Sequence, residues 1–77
     1  VYLIKSINHP TKVYVGFTTN LKDRLATHNA GGSLHTAKYK PWILQTYFAF
    51  STKTQALEFE TYLKSHSGRA FAKKRLW

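Results

Sequence analysis

The chain has 77 residues and no cysteine, which excludes a disulfide framework and a thiolate metal site and leaves folding to a small hydrophobic core. Twelve Lys and Arg against three acidic residues give a net charge of +9, while 43% hydrophobic residues, including five Phe, five Tyr and two Trp, are too many for a disordered basic tail. No apolar run reaches the length of a membrane span or a signal peptide, so the expectation is one basic, cytoplasmic domain over residues 1–77 with nucleic acid as its partner.

Val1 to Ile7 is β-branched and aromatic and reads as a strand, and Asn8-His9-Pro10-Thr11 is turn chemistry. Lys12 to Thr18 alternates: Val13, Val15 and Phe17 share a core face, and Lys12, Tyr14, Gly16 and Thr18 share a polar one. The pair reads as a hairpin; if its loop has an odd number of residues Tyr2 joins Tyr14 on the polar face, and the sequence alone does not fix that register. Asn20 is an N-cap with Asp23 in the first turn, opening a helix that Gly31-Gly32 stops. Gly31 to Lys40 reads as a loop carrying His35, Lys38 and Lys40. Trp42 to Phe50 is apolar on both faces, as expected of a well-covered strand. Thr52 and Gln55 form a capping box for a helix from about Lys53 to His66, ended by Ser67-Gly68. Arg69 to Leu76 follows as a short basic helix or tail. This order implies an α+β fold with a small antiparallel sheet.

Three acidic residues in so basic a chain each invite a reason. Asp23 suits a helix N-terminus, and Glu58 faces away from the apolar stripe of Ala56, Phe59 and Leu63. Glu60 falls about 40° from Ala56, inside the edge of that stripe, where a carboxylate needs a partner. A salt bridge to Lys64 or Arg24 satisfies it, and so does a bound cation. Gly16 in mid-strand implies that a backbone or a phosphate comes close. Arg24 and His28 are four apart on one helix and suit phosphate chemistry, because guanidinium clamps phosphate oxygens and imidazole moves protons near neutral pH. By itself, such a pair is most often a solvated helix face. His9, His35 and His66 lack metal-ligand spacing and read as surface residues.

Taken together, Tyr2 in the first strand, Tyr14-Val15-Gly16 in the second, Arg24 and His28 on the next helix and Glu60 on a later one resemble the GIY-YIG nuclease family. Val1-Tyr2 looks like the end of the first tripeptide, whose glycine would precede this chain, and Tyr14-Val15-Gly16 looks like the second. The resemblance runs over the whole chain and is closest to the small members. It implies a three-stranded antiparallel sheet flanked by helices and metal-dependent hydrolysis of a DNA phosphodiester. It implies Tyr2 as general base, Tyr14 positioning water or phosphate, Arg24 stabilising transition-state charge, His28 assisting, and Glu60 holding one Mg²⁺ or Mn²⁺. Phe17 stands where some members carry lysine, and no asparagine follows Asn29, whereas larger members place one after the glutamate helix.

Around such a site, Gly16, Lys38, Lys40, Lys64, Arg69, Lys73 and Lys74 are the expected substrate contacts, with Arg75 adding charge. The function implied is an endonuclease of DNA repair, recombination or processing, working alone or with a protein partner or additional domain. The alternative is a non-catalytic nucleic-acid-binding domain using the same basic face. A membrane-surface role lacks an amphipathic helix with a free bulky apolar face.

Overall fold

The computed structural model describes all residues, 1–77. Three strands, β1 (Tyr2–Ser6), β2 (Val13–Gly16) and β3 (Trp42–Tyr47), form one antiparallel sheet in the order β2-β1-β3. Four helices complete it: α1 (Leu21–Asn29), α2 (Leu34–Ala37), α3 (Lys53–Lys64) and α4 (His66–Arg75). The central position of β1 explains its composition. Val1, Tyr2, Leu3 and Ile4 are all buried, because side chains pointing either way meet a covered face. Val1 and Leu3 pack with Ala56, Leu63 and Ala72 beneath α3 and α4. Tyr2 and Ile4 pack with Trp42, and Tyr14, Leu21, Leu25 and Tyr39 close over them from the α1 side.

Pairing of Tyr2 with Gly16 and of Ile4 with Tyr14 puts the two tyrosines on one face, as an odd-length loop requires. That face is not the solvated one that its polar residues suggested, since α1 covers it. The strand with both faces covered is β1, not β3. The third strand ends at Tyr47 rather than Phe50, lies at the sheet edge, and leaves Ile43 46% and Leu44 40% exposed. An apolar run reports burial without telling a central strand from an edge.

Local capping sets the helix boundaries. The Asn20 side chain accepts from the Asp23 amide at 3.1 Å and opens α1, and Thr52 Oγ1 accepts from the Gln55 amide at 3.2 Å and opens α3. The expected stop at Ser67-Gly68 is absent. Ser65, with extended backbone at ψ 167°, both ends α3 and caps α4, accepting from the Gly68 amide at 3.1 Å. Gly68 lies instead in the first turn of α4, where the backbone of Tyr62 and Leu63 leaves no room for a β-carbon. Between Gly31 and Lys40 the expected loop contains α2, a single turn that brings Thr36 into the interior. No helix is long and apolar enough to cross a membrane.

Candidate active site

Tyr2 is the hub. Its ring runs across Gly16, where an added β-carbon would lie only 2.8 Å from Tyr2 Cε1. Gly16, expected to admit a backbone or a phosphate, is buried and admits this ring instead. The phenol then reaches His28, with Tyr2 Oη 2.8 Å from Nε2. The other ring nitrogen, Nδ1, lies 2.7 Å from Thr36 Oγ1, and that hydroxyl donates to the Ser33 carbonyl at 3.5 Å. Tyr2, His28 and Thr36 are each at most 2% exposed, so the chain of bonds runs through the interior. Tyr14 borders it, half-buried, with its ring centroid 5.2 Å from that of His28 and 6.2 Å from that of Tyr2.

The i, i+4 spacing of Arg24 and His28 on α1 resolves into two environments. His28 turns inward and Arg24 stays exposed, a free guanidinium beside a buried imidazole. Burial first, and then the Arg24 charge, lowers the His28 pKa, so the imidazole is neutral at pH 7. The Tyr2 phenol is pushed up to about 12, chiefly by burial and then by Tyr14; Arg24 pulls it down and Glu60 pushes it up. Charges on two separate helices, α1 and α3, therefore act on this one hydroxyl. The cationic depression that a tyrosine base requires is outweighed by burial in the free protein, and a proton leaving Tyr2 needs an acceptor within bonding distance.

Glu60 sits where its helical angle placed it, with its side chain 19% exposed and Lys64 Nζ 3.1 Å from Oε2. Glu58 is exposed. The i+4 salt bridge therefore forms, and Lys64 also stands over the Tyr14 ring, 5.9 Å from its centroid. No group of three His, Cys, Asp or Glu side chains converges to hold a metal. A single accessible carboxylate nevertheless suits a hard divalent cation that keeps its waters and takes its remaining ligands from substrate phosphate.

Tyr14 and Lys64 also border a groove of about 720 Å³ between β2 and the helix pair α3–α4. Lys5, Lys64, Arg69 and Lys73 line it, Trp77 and Val15 supply apolar wall, and no acidic residue does. Of the expected substrate contacts, Lys64, Arg69 and Lys73 are thus brought together. Lys74 faces solvent outside the groove, and Lys38 and Lys40 do not line it either. Lys38 and Lys12 instead flank the Tyr39 ring, at 5.9 and 5.3 Å from its centroid. His9, His35 and His66 are exposed.

Sequence reasoning missed Thr36, Asn29 and Trp42. Asn29 bonds both backbone groups of Trp42, and the Trp42 indole donates to the Thr36 carbonyl at 2.9 Å, which locks α1, α2 and β3 around His28. No local pattern marks a threonine in a polar stretch as the partner of a histidine eight residues earlier.

The GIY-YIG catalytic domain family matches residues 1–75. A UPF0213 protein of Staphylococcus haemolyticus is 38% identical over 68 residues, which cover 87% of this chain and 80% of that protein. A UPF0213 protein of Streptococcus pyogenes is 41% identical over 59 residues, 75% of this chain and 64% of that one. A Giardia intestinalis protein named as a homologue of the structure-specific endonuclease subunit SLX1 is 42% identical over 60 residues, 73% of this chain but 17% of its own length. No solved structure matches. With the matched domain spanning all three strands and four helices, the chain belongs to the GIY-YIG family of endonucleases.

Proposed function

We propose that this chain is a divalent-metal-dependent DNA endonuclease that hydrolyses a phosphodiester bond in DNA repair, recombination or processing. The carrying observation is the convergence on Tyr2: its hydroxyl bonds to the buried His28 imidazole, and the charges of Arg24 on α1 and Glu60 on α3 both act on it. Tyr2 takes the proton of the attacking water as its own hydrogen passes to His28 Nε2, so no free phenolate has to form in the buried site. The water oxygen bonds to phosphorus and the bond to the leaving oxygen breaks. Arg24, exposed and unpaired by any carboxylate, clamps the phosphate oxygens as charge accumulates on them. Tyr14 borders the same space and orients the water or the phosphate. Glu60 would hold a Mg²⁺ or Mn²⁺ ion, which supplies Lewis-acid stabilisation of the leaving oxygen. Lys5, Lys64, Arg69 and Lys73 in the groove hold the DNA backbone beside the reacting bond. The subunit named in the Giardia relative supports a protein partner or additional domain completing substrate choice.

One observation favours a second reading, a nucleic-acid-binding domain without turnover: the Glu60 carboxylate is already paired with Lys64. The two glutamates of α3 separate the readings. Glu60→Gln keeps the shape and removes the charge, so cleavage of plasmid or branched DNA with Mg²⁺ or Mn²⁺ falls about 10³-fold. Glu58→Gln, on the exposed face, cuts at the wild-type rate. Metal-free DNA affinity of the Glu60 variant holds or rises slightly, since a negative charge leaves a basic surface. Equal effects of the two substitutions, or no metal-dependent cleavage by the wild type on duplex, single strand, flap, fork and junction, leave the binding reading standing.

A further inference from the structure

The nuclease reading uses Tyr2 and His28 but gives no role to Thr36, and the bonds around the imidazole assign one. Tyr2, His28 and Thr36, each at most 2% exposed, share three movable hydrogens. Two arrangements are possible. In the first, the Tyr2 hydroxyl donates to Nε2, Nδ1–H donates to Thr36 Oγ1, and the Thr36 hydroxyl donates to the Ser33 carbonyl. In the second, Thr36 donates to Nδ1 and Nε2–H donates to Tyr2, which leaves the Tyr2 hydrogen without an acceptor in the relay. Buried polar hydrogens find acceptors, so the first arrangement is favoured. It is also the one in which His28 can receive a proton from Tyr2.

We infer that Thr36 is a positioning residue of the reaction: by accepting from Nδ1–H it holds His28 in the tautomer whose Nε2 lone pair faces the Tyr2 hydroxyl. The role of the tautomer in turnover rests on the proposed mechanism; the tautomer itself does not. Thr36 is held for this task. Its backbone amide bonds to the Ser33 carbonyl at 3.2 Å, and its carbonyl takes the Trp42 indole hydrogen at 2.9 Å. α2 therefore serves as a bracket that carries one hydroxyl to the far side of the imidazole.

Thr36→Val preserves shape and deletes the hydroxyl. Nδ1 then faces a methyl group, and the ring hydrogen moves to Nε2, which still has Tyr2 as a partner. The expected result is an inverted tautomer together with a fall in kcat of up to about 10²-fold, the scale for a misplaced reacting group, with KM for DNA little changed. Thr36→Ser restores both tautomer and rate. The measurement is two-bond ¹H–¹⁵N correlation of the histidine rings in the wild-type chain and both variants, assigned with His28→Gln, alongside steady-state cleavage with Mg²⁺ over a range of DNA concentrations. Nε2–H in the wild type overturns the inference, whether or not the protein cuts DNA and whether or not the valine variant folds. Nδ1–H in the wild type that persists in a folded Thr36→Val protein overturns it as well. A tautomer that inverts in an inactive protein upholds Thr36 as the orienting group and removes the nuclease reading alone.

Discussion

At the scale of single residues, the two tyrosines of the motif differ more than their matching chemistry suggests. Tyr2 is buried and bonded to His28, whereas Tyr14 is half-buried and outside the relay. From the sequence, replacing either by phenylalanine is a change of one hydroxyl with little effect on folding. In the structure, Tyr2→Phe leaves the buried His28 Nε2 without a donor, and such an orphaned group costs about 1–3 kcal/mol. For a domain of this size that lowers Tm by roughly 4–8 °C per kcal/mol. Tyr14→Phe leaves Tm unchanged. Both substitutions reduce metal-dependent cleavage by about 10²–10⁴, the usual scale for a positioned acid–base group. Thermal melts and single-turnover rates on the two variants check this, and wild-type rates in both remove the phenols from the mechanism. Tyr2, Tyr14, Arg24, His28 and Glu60 stood out as candidates because the resemblance to the GIY-YIG motifs singles them out. Thr36 did not, since its role depends on the path of the chain between two glycines and a proline.

At the scale of elements, the hairpin, α1 and α3 followed from alternation and capping, both written within a few residues of sequence. The errors fall where a local signal has two physical meanings. A glycine after a helical run stops the helix if it serves as a cap, and continues it if close packing demands the absence of a side chain. Gly68 is the second kind: a β-carbon there would lie 2.7 Å from Leu63 Cα, with the Tyr62 carbonyl nearer still. Helix propensity alone makes Gly68→Ala stabilising by about 1 kcal/mol. The clash is with backbone, which cannot swing aside, and overpacking of this kind costs about 1–3 kcal/mol. The expected outcome is therefore a lower denaturation midpoint for Gly68→Ala. Exposed Ala70, two residues on in the same helix, is the control, and Ala70→Gly destabilises by about 1 kcal/mol through propensity alone. Urea titrations of both variants decide it. A stabilised Gly68→Ala protein means that α4 does not pack on α3 in this register.

For the whole molecule, a net charge of +9 identifies a polyanionic partner but not the surface that meets it. Read along the chain, the cations at Lys38, Lys40, Arg69, Lys73, Lys74 and Arg75 make one footprint, and six phosphate contacts give a log–log salt slope of about −5 on duplex DNA. Folding divides that footprint. Arg69 and Lys73 join Lys5 and Lys64 in the groove that begins at Tyr14, while Lys38 stands over Tyr39 and lines no part of it. Four cations in one groove give a slope of about −4. Each neutralised phosphate contributes about 0.9 to that slope, so Arg69→Ala with Lys73→Ala flattens it by about 2 and weakens binding at low salt. Lys38→Ala with Lys40→Ala leaves the slope near its wild-type value. Metal-free fluorescence anisotropy over a series of salt concentrations measures all three proteins without cleavage. Equal losses from the two double substitutions restore the undivided footprint, and an affinity indifferent to salt removes phosphate contacts as the source of binding.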